Sequence, residues 1–241
     1  GPGSSATAAP SAPTAPKPEP ADKLGYQKLW DGQTEGWNHA VVITKAGDVV
    51  ALSGSALTVH ARHDGSVLEQ MNICSAISLR GESLFFKNDT TLVVVCRDAV
   101  HEVKLPGLAH KEVLKLPWTQ FNQTAEECAH TAGQLAVANN DGKLVIYDTA
   151  TYKAKTSQTL SGKKGDIKAL AFSPDGKRLA VSRDNNPVVI VDGSKVSNVA
   201  GFTSSSGALA FSPDGKHLFG ATKSFVGAAI SLSDGCSHYD K

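Results

Sequence analysis

Four cysteines and eight histidines are the side chains of this 241-residue sequence best suited to metal binding or nucleophilic chemistry. Zinc is held by ligands in close pairs, as in C-x-x-C, because one short turn must present both to one ion. Cys74, Cys96, Cys128 and Cys236 include no such pair. Cys96 ends an apolar run, so the thiols are expected to be buried and free, in a domain large enough to need no disulfide. Free thiols favour a reducing compartment: the cytoplasm, with the nucleus as the alternative. His60-x-x-His63 and Cys236-x-His238 come nearest to ligand spacing. In an extended strand His60 and His63 would point to opposite faces, so both are expected to be ordinary solvated or hydrogen-bonded histidines. The sequence contains no Gly-rich phosphate loop, G-x-S-x-G elbow or H-E-x-x-H motif. The expectation is a protein that is not an enzyme and uses neither metal nor cofactor.

Composition narrows the partners. Twenty-four Lys and Arg against 23 Asp and Glu leave a net charge of +1, which argues against a general nucleic-acid binder. Hydrophobic residues make up 41% and charged residues 20%, the range of a globular chain. No run of about 18 apolar residues exists, so no membrane span is expected. Gly1-Pro2-Gly3-Ser4 reads as the scar of a removed purification tag. Residues 5–23 form a Pro/Ala-rich stretch. Pro10, Pro13 and Pro16 have P-x-x-P spacing, but composition favours a flexible linker over a ligand for a proline-binding domain.

The elements beyond Lys23 are short apolar runs such as Val49-Val50-Ala51-Leu52, Leu92-Val93-Val94-Val95 and Leu144-Val145-Ile146-Tyr147. Each is too short for a helix and the right length for a strand. Asp64-Gly65, Asp141-Gly142, Asp175-Gly176 and Asp214-Gly215 separate such runs, and Asp-Gly is a strong hairpin signal. An almost wholly β chain is expected. Its repeats set the architecture: Ala169–Lys177, reading ALAFSPDGK, returns unchanged at Ala208–Lys216, 39 residues on. Leu135-Ala136-Val137 and Leu144-Val145-Ile146-Tyr147-Asp148 return in kind 44 residues later, as Leu179-Ala180-Val181 and Val188-Val189-Ile190-Val191-Asp192.

A strand, Ser-Pro-Asp-Gly-Lys, a second strand, a turn and a third strand ending in Asp together resemble the WD-repeat β-propeller family. The likeness covers about residues 38–241, clearest at 167–199 and 207–241 and looser at 40–74, 76–112 and 121–155. Tyr147-Asp148 and Val191-Asp192 stand where a strong repeat has Trp-Asp, and Trp30-Asp31 is the sole such pair. The resemblance implies an all-β propeller of about five recognisable blades over residues 24–241. Five blades make either a small closed ring or part of a larger one of about seven, completed by another chain or segment. Pro174, Asp175, Gly176, Pro213, Asp214 and Gly215 are then structural turn residues. Small residues such as Ala136, Ala138, Ala180 and Ala210 would let sheets approach, with Phe172 and Phe211 filling between them.

In such propellers the residue after the second strand lies on the loop face that commonly receives partners. Here Gly54, Arg97, Asn140, Arg183 and Lys223 take that place. Arg97, Asn140, Arg183 and Lys223 are the candidate partner-binding residues, and their charge suits an acidic or phosphorylated peptide. Charge reversal at Arg97 and Arg183 is expected to abolish binding without unfolding the domain. The function implied is a non-catalytic protein–protein interaction scaffold. Two alternatives are a regulatory propeller, such as a nucleotide-exchange factor for a small GTPase, and an actin- or cytoskeleton-binding propeller. The exchange-factor reading needs a protruding loop, for which Leu105–Ala132, with Trp118 and Phe121, is the candidate.

Overall fold

The structure, a computed structural model, describes residues 38–74, 80–118, 125–199, 202, 206–222 and 227–231. The tag scar, the linker, Trp30-Asp31, Phe121, Lys223 and the Cys236–His238 pair lie outside the described residues.

Among the described residues, twenty strands build five sheets. The first holds β1 (Asn38–Ile43), β2 (Val49–Ser53), β3 (Ala56–His60) and β4 (Val67–Asn72), each antiparallel to the next. β5 (Arg80–Gly81) precedes a second sheet of β6 (Leu84–Asn88), β7 (Thr91–Val95), β8 (Ala99–Lys104) and β9 (His110–Lys115). The third contains β10 (Ala125–Thr131), β11 (Gln134–Asn139), β12 (Lys143–Asp148) and β13 (Ala154–Thr159), and β5 adds to its β10 edge in parallel. β14 (Ile167–Phe172), β15 (Arg178–Arg183), β16 (Val189–Asp192) and β17 (Lys195–Asn198) form the fourth. The fifth has three described strands, β18 (Ser206–Phe211), β19 (His217–Thr222) and β20 (Gly227–Ser231).

Burial follows strand position within each sheet. The second strands, β2, β7, β11 and β15, are almost entirely buried because sheets cover both their faces, so they read as unbroken Val/Leu/Ala runs. The outer strands β4, β9, β13 and β17 alternate or stay exposed, and their sequences are polar. Each of four apolar cores lies between two consecutive sheets: Val50, Leu52, Leu57, Leu92 and Val94 in the first seam, and Phe85, Val93, Trp118, Val137 and Tyr147 in the second. Leu144, Ile167, Leu179 and Val181 fill the third, and Val188, Phe202 and Leu218 the fourth. Ala136, Ala138 and Ala180 are fully buried in these seams, as expected, whereas Ala210 is exposed on the last sheet beside Ala208 and Phe219.

The Ser-Pro-Asp-Gly turns are built alike. Gly176 Nα–H donates to the Ser173 carbonyl at 2.8 Å, and Gly215 to Ser212 at 2.8 Å, with φ of 68° and 69° that a Cβ would oppose. Asp175 Oδ1 accepts from the Ser173 hydroxyl (2.6 Å) and the Lys177 amide (3.1 Å); Asp214 repeats both contacts with Ser212 and Lys216. Each turn is also gripped by the preceding sheet. The residue opening its second strand donates to the turn glycine's carbonyl: Gln134 Nε2 to Gly176 O at 2.8 Å, and Arg178 Nη2 to Gly215 O at 2.6 Å. Arg178 also lies over the Phe211 ring, 5.5 Å from its centroid.

Two expectations are corrected here. Cys74 and Cys96 are not free thiols: they form a disulfide, across 22 residues, between the first and second sheets. Spacing rules look for neighbours in the chain, and these two meet only because consecutive sheets stack. Cys128, on β10, is a buried thiol outside any disulfide, and burial raises its pKa well above the usual value. The argument for a reducing compartment therefore loses two of its thiols. Nor do the described residues of Leu105–Ala132 form a protruding loop. They include β9 and the whole of β10, and Trp118 is packed in the second core because its ring fills the seam beside Val95 and Tyr147.

Candidate functional site

Antiparallel order puts the exit of every second strand on one face of the stack, together with the connections from each outer strand to the next sheet. Gly54, Arg97, Asn140 and Arg183 all stand there. Gly54, at φ 58°, closes the β2–β3 turn and offers no side chain.

The other three reach sideways to a neighbouring sheet. Arg97 donates from Nη2 to Glu126 Oε2 at 3.1 Å, tying the second sheet to β10 of the third. Its side chain remains one-third exposed (34%). Asn140 Oδ1 accepts the amide of Ile167, the first residue of β14, at 3.0 Å. Arg183 is 5% exposed and donates to the carbonyls of Leu160 and Ser161 in the connection leaving the third sheet, and to Asn186 Oδ1. Burial lowers its pKa, and no ion pair with a carboxylate offsets it among the described residues. The expectation that charge reversal at Arg183 would leave the domain folded is therefore untenable: a glutamate there would face two peptide carbonyls.

Asn186 carries no motif in the sequence that marks it as a junction residue. Its Oδ1 accepts the Lys163 amide (2.9 Å), and its Nδ2 donates to the carbonyls of Lys163 (2.9 Å) and Asp184 (2.7 Å). Asn185-Asn186-Pro187 announces a turn, but nothing local says that one of its side chains binds backbone 23 residues earlier. Gly142 and Gly162 fit this knot closely. A Cβ on Gly142 would come within 2.4 Å of Arg183 Nη1, and one on Gly162 within 2.3 Å of Asn186 Oδ1.

The disulfide occupies the matching place in an earlier seam. Cys74 follows β4 and Cys96 follows β7, so the bond joins an outer-strand exit of one sheet to a second-strand exit of the next. Arg183 and Ser161 make that same junction between the third and fourth sheets. Lys163 and Lys164 are exposed on the connection above it, Lys164 pairing with Asp141 at 3.2 Å. Lys168 bridges Asp166 (3.1 Å) and Asp184 (2.9 Å). His60 is buried with Nδ1 3.0 Å from the Gly65 carbonyl, and His63 accepts from Arg62 Nε at 3.0 Å. Among the described residues no group of three His, Cys, Asp or Glu side chains could hold a metal ion, and no helix is long and apolar enough to cross a membrane.

Antiparallel sheets stacked face to face, with repeated first-to-second-strand turns and a shared loop face, define blades of a β-propeller. Residues 129–210, about a third of the chain, match the family of the anaphase-promoting complex subunit 4 WD40 domain. No curated protein matches the chain. Together with the five described sheets, this match fits a member of the WD-repeat β-propeller family, whose domains serve as platforms for protein–protein interaction.

Proposed function

We propose that this protein is a non-catalytic scaffold that receives partner peptides or subunits on the face carrying the second-strand exits. The observation that carries the reading is the WD40-type blade array itself. It presents loops from successive sheets side by side on a rigid support, and the seams hold those loops in place. On that face Arg97, Lys163 and Lys164 keep exposed cationic groups, which supports an acidic or phosphorylated peptide as the ligand. Arg183, as a buried junction residue, belongs to the support for that surface.

The test is an array of acidic and serine-phosphorylated peptides probed with the wild-type protein, Arg97→Glu and Lys177→Glu. Lys177 sits on the turn at the opposite face, so its reversal changes net charge equally without touching the proposed site. Peptides bound by wild type and Lys177→Glu should be lost by about tenfold or more in Arg97→Glu. Equal loss in the two variants would show that only net charge matters and would defeat the assignment of the face.

A further inference from the structure

Beside Arg183 lies a cavity of about 350 Å3, at the lower end of the range for ligand pockets. Leu160, Val181, Val189 and Val196 supply apolar wall; Arg183 and Asn198 supply polar groups. No carboxylate among the described residues lines it. The cavity stands between the connection leaving the third sheet and β15, β16 and β17 of the fourth.

We propose that this cavity binds a carboxylate carried on a short aliphatic stem, such as a glutamate side chain or a small dicarboxylic acid. Three observations converge. Arg183 is 5% exposed, and its described partners are two peptide carbonyls and an amide oxygen, so its charge is hydrogen-bonded but not neutralised. A buried charge in this state gains most from an anion that approaches through the open side. Second, the apolar walls suit methylene groups, and one guanidinium suits one carboxylate, with any second one left at the open side. Phosphate has no stem to meet the walls, and its three donor-seeking oxygens would find too few partners. Third, the wall is set in advance. Asn186 pins residues 163 and 184, and Arg183 pins residues 160 and 161, so little ordering remains to be done on binding.

The carboxylate has two possible sources, a free acid or a peptide side chain. The peptide source rests on the scaffold reading; the free acid does not. Amide chemical shifts of the 15N-labelled protein are followed during titration with glutarate, acetyl-Ala-Glu-Ala-amide, its Gln counterpart and inorganic phosphate. Glutarate, the Glu peptide or both should move the Gly162, Val189 and Asn198 amides saturably. The Gln peptide and phosphate should bind about tenfold more weakly or not at all. Arg183 also holds the Leu160 and Ser161 carbonyls, so the blocking variant is Val196→Glu, at an outer-strand position that is 39% exposed and accommodates charge. It should weaken the probes by about tenfold while unfolding at or above the wild-type temperature. Shifts that persist in Val196→Glu, equal binding of the Gln peptide or of phosphate, or no saturable shift overturns the proposal. Glutarate bound with no peptide captured anywhere on the loop face defeats the scaffold reading and leaves the cavity assignment standing.

Discussion

Arg97 and Arg183 take equivalent places in their repeats and are held by different chemistry. Arg97 has a carboxylate partner and a third of its side chain in solvent, where an ion pair contributes about 1 kcal/mol at most. Arg183 is enclosed, and removing it would leave carbonyl oxygens at Leu160 and Ser161 without their donor. Arg183→Glu should therefore lower the unfolding free energy by about 3 kcal/mol or more, since it adds a buried anion facing those oxygens. Arg97→Glu should change it by about 1 kcal/mol or less. Urea denaturation of both variants checks this; equal stability would mean that the Arg183 knot does not hold the third seam closed. The distinction was not legible in the sequence. Both positions read as a basic residue after an apolar run, and only the fold says that one lies under the neighbouring sheet's connection.

At the scale of the element, the turns between first and second strands carry a signature that titrates. Hydrogen bonds from the serine hydroxyl, and then from the lysine amide, hold the Asp175 and Asp214 carboxyls below the usual carboxylate pKa. A carboxyl with a lower pKa folded than unfolded adds stability above the unfolded value, near 4, and that contribution fades as pH falls through the folded value. Wild type should therefore lose melting temperature, as pH falls below about 4, more steeply than the Asp175→Asn, Asp214→Asn double variant. Thermal melts across that window decide it, and parallel curves would show the turns to be indifferent to ionisation. These elements were the most legible part of the chain. A nine-residue identity fixed both the turn and its strands, because the turn is specified by its own side chains. The seams were not legible, since Cys74–Cys96, Arg97–Glu126 and Tyr152–Glu102 (2.8 Å) join residues 22, 29 and 50 apart. Such pairs exist only once sheets stack. The candidate cavity shares that origin: its lining comes from the connection after the third sheet and three strands of the fourth.

For the whole molecule, stability is divided among seams. Each sheet has two faces to cover and meets its neighbour over a separate apolar core, so the array should open seam by seam from the weakest. Among the described residues, the first seam is the one closed covalently. Restraining 22 residues with a disulfide is worth about 3 kcal/mol on chain-entropy grounds. Reduction, or the Cys74→Ser, Cys96→Ser double variant, should lower the melting temperature and raise amide exchange in β1–β4 before β10–β17. Uniform exchange across all sheets on reduction would argue against independent seams. In the later seams the grip of Gln134 on Gly176 and of Arg178 on Gly215 has a one-sided vulnerability. The acceptor is a main-chain oxygen, which no substitution can delete, while the donor needs only an N–H of adequate reach. Over evolutionary time such a joint can keep working while its donor drifts from amide to guanidinium. Copies of the repeat are then free to diverge on the side that reaches out and remain recognisable on the side that is grasped.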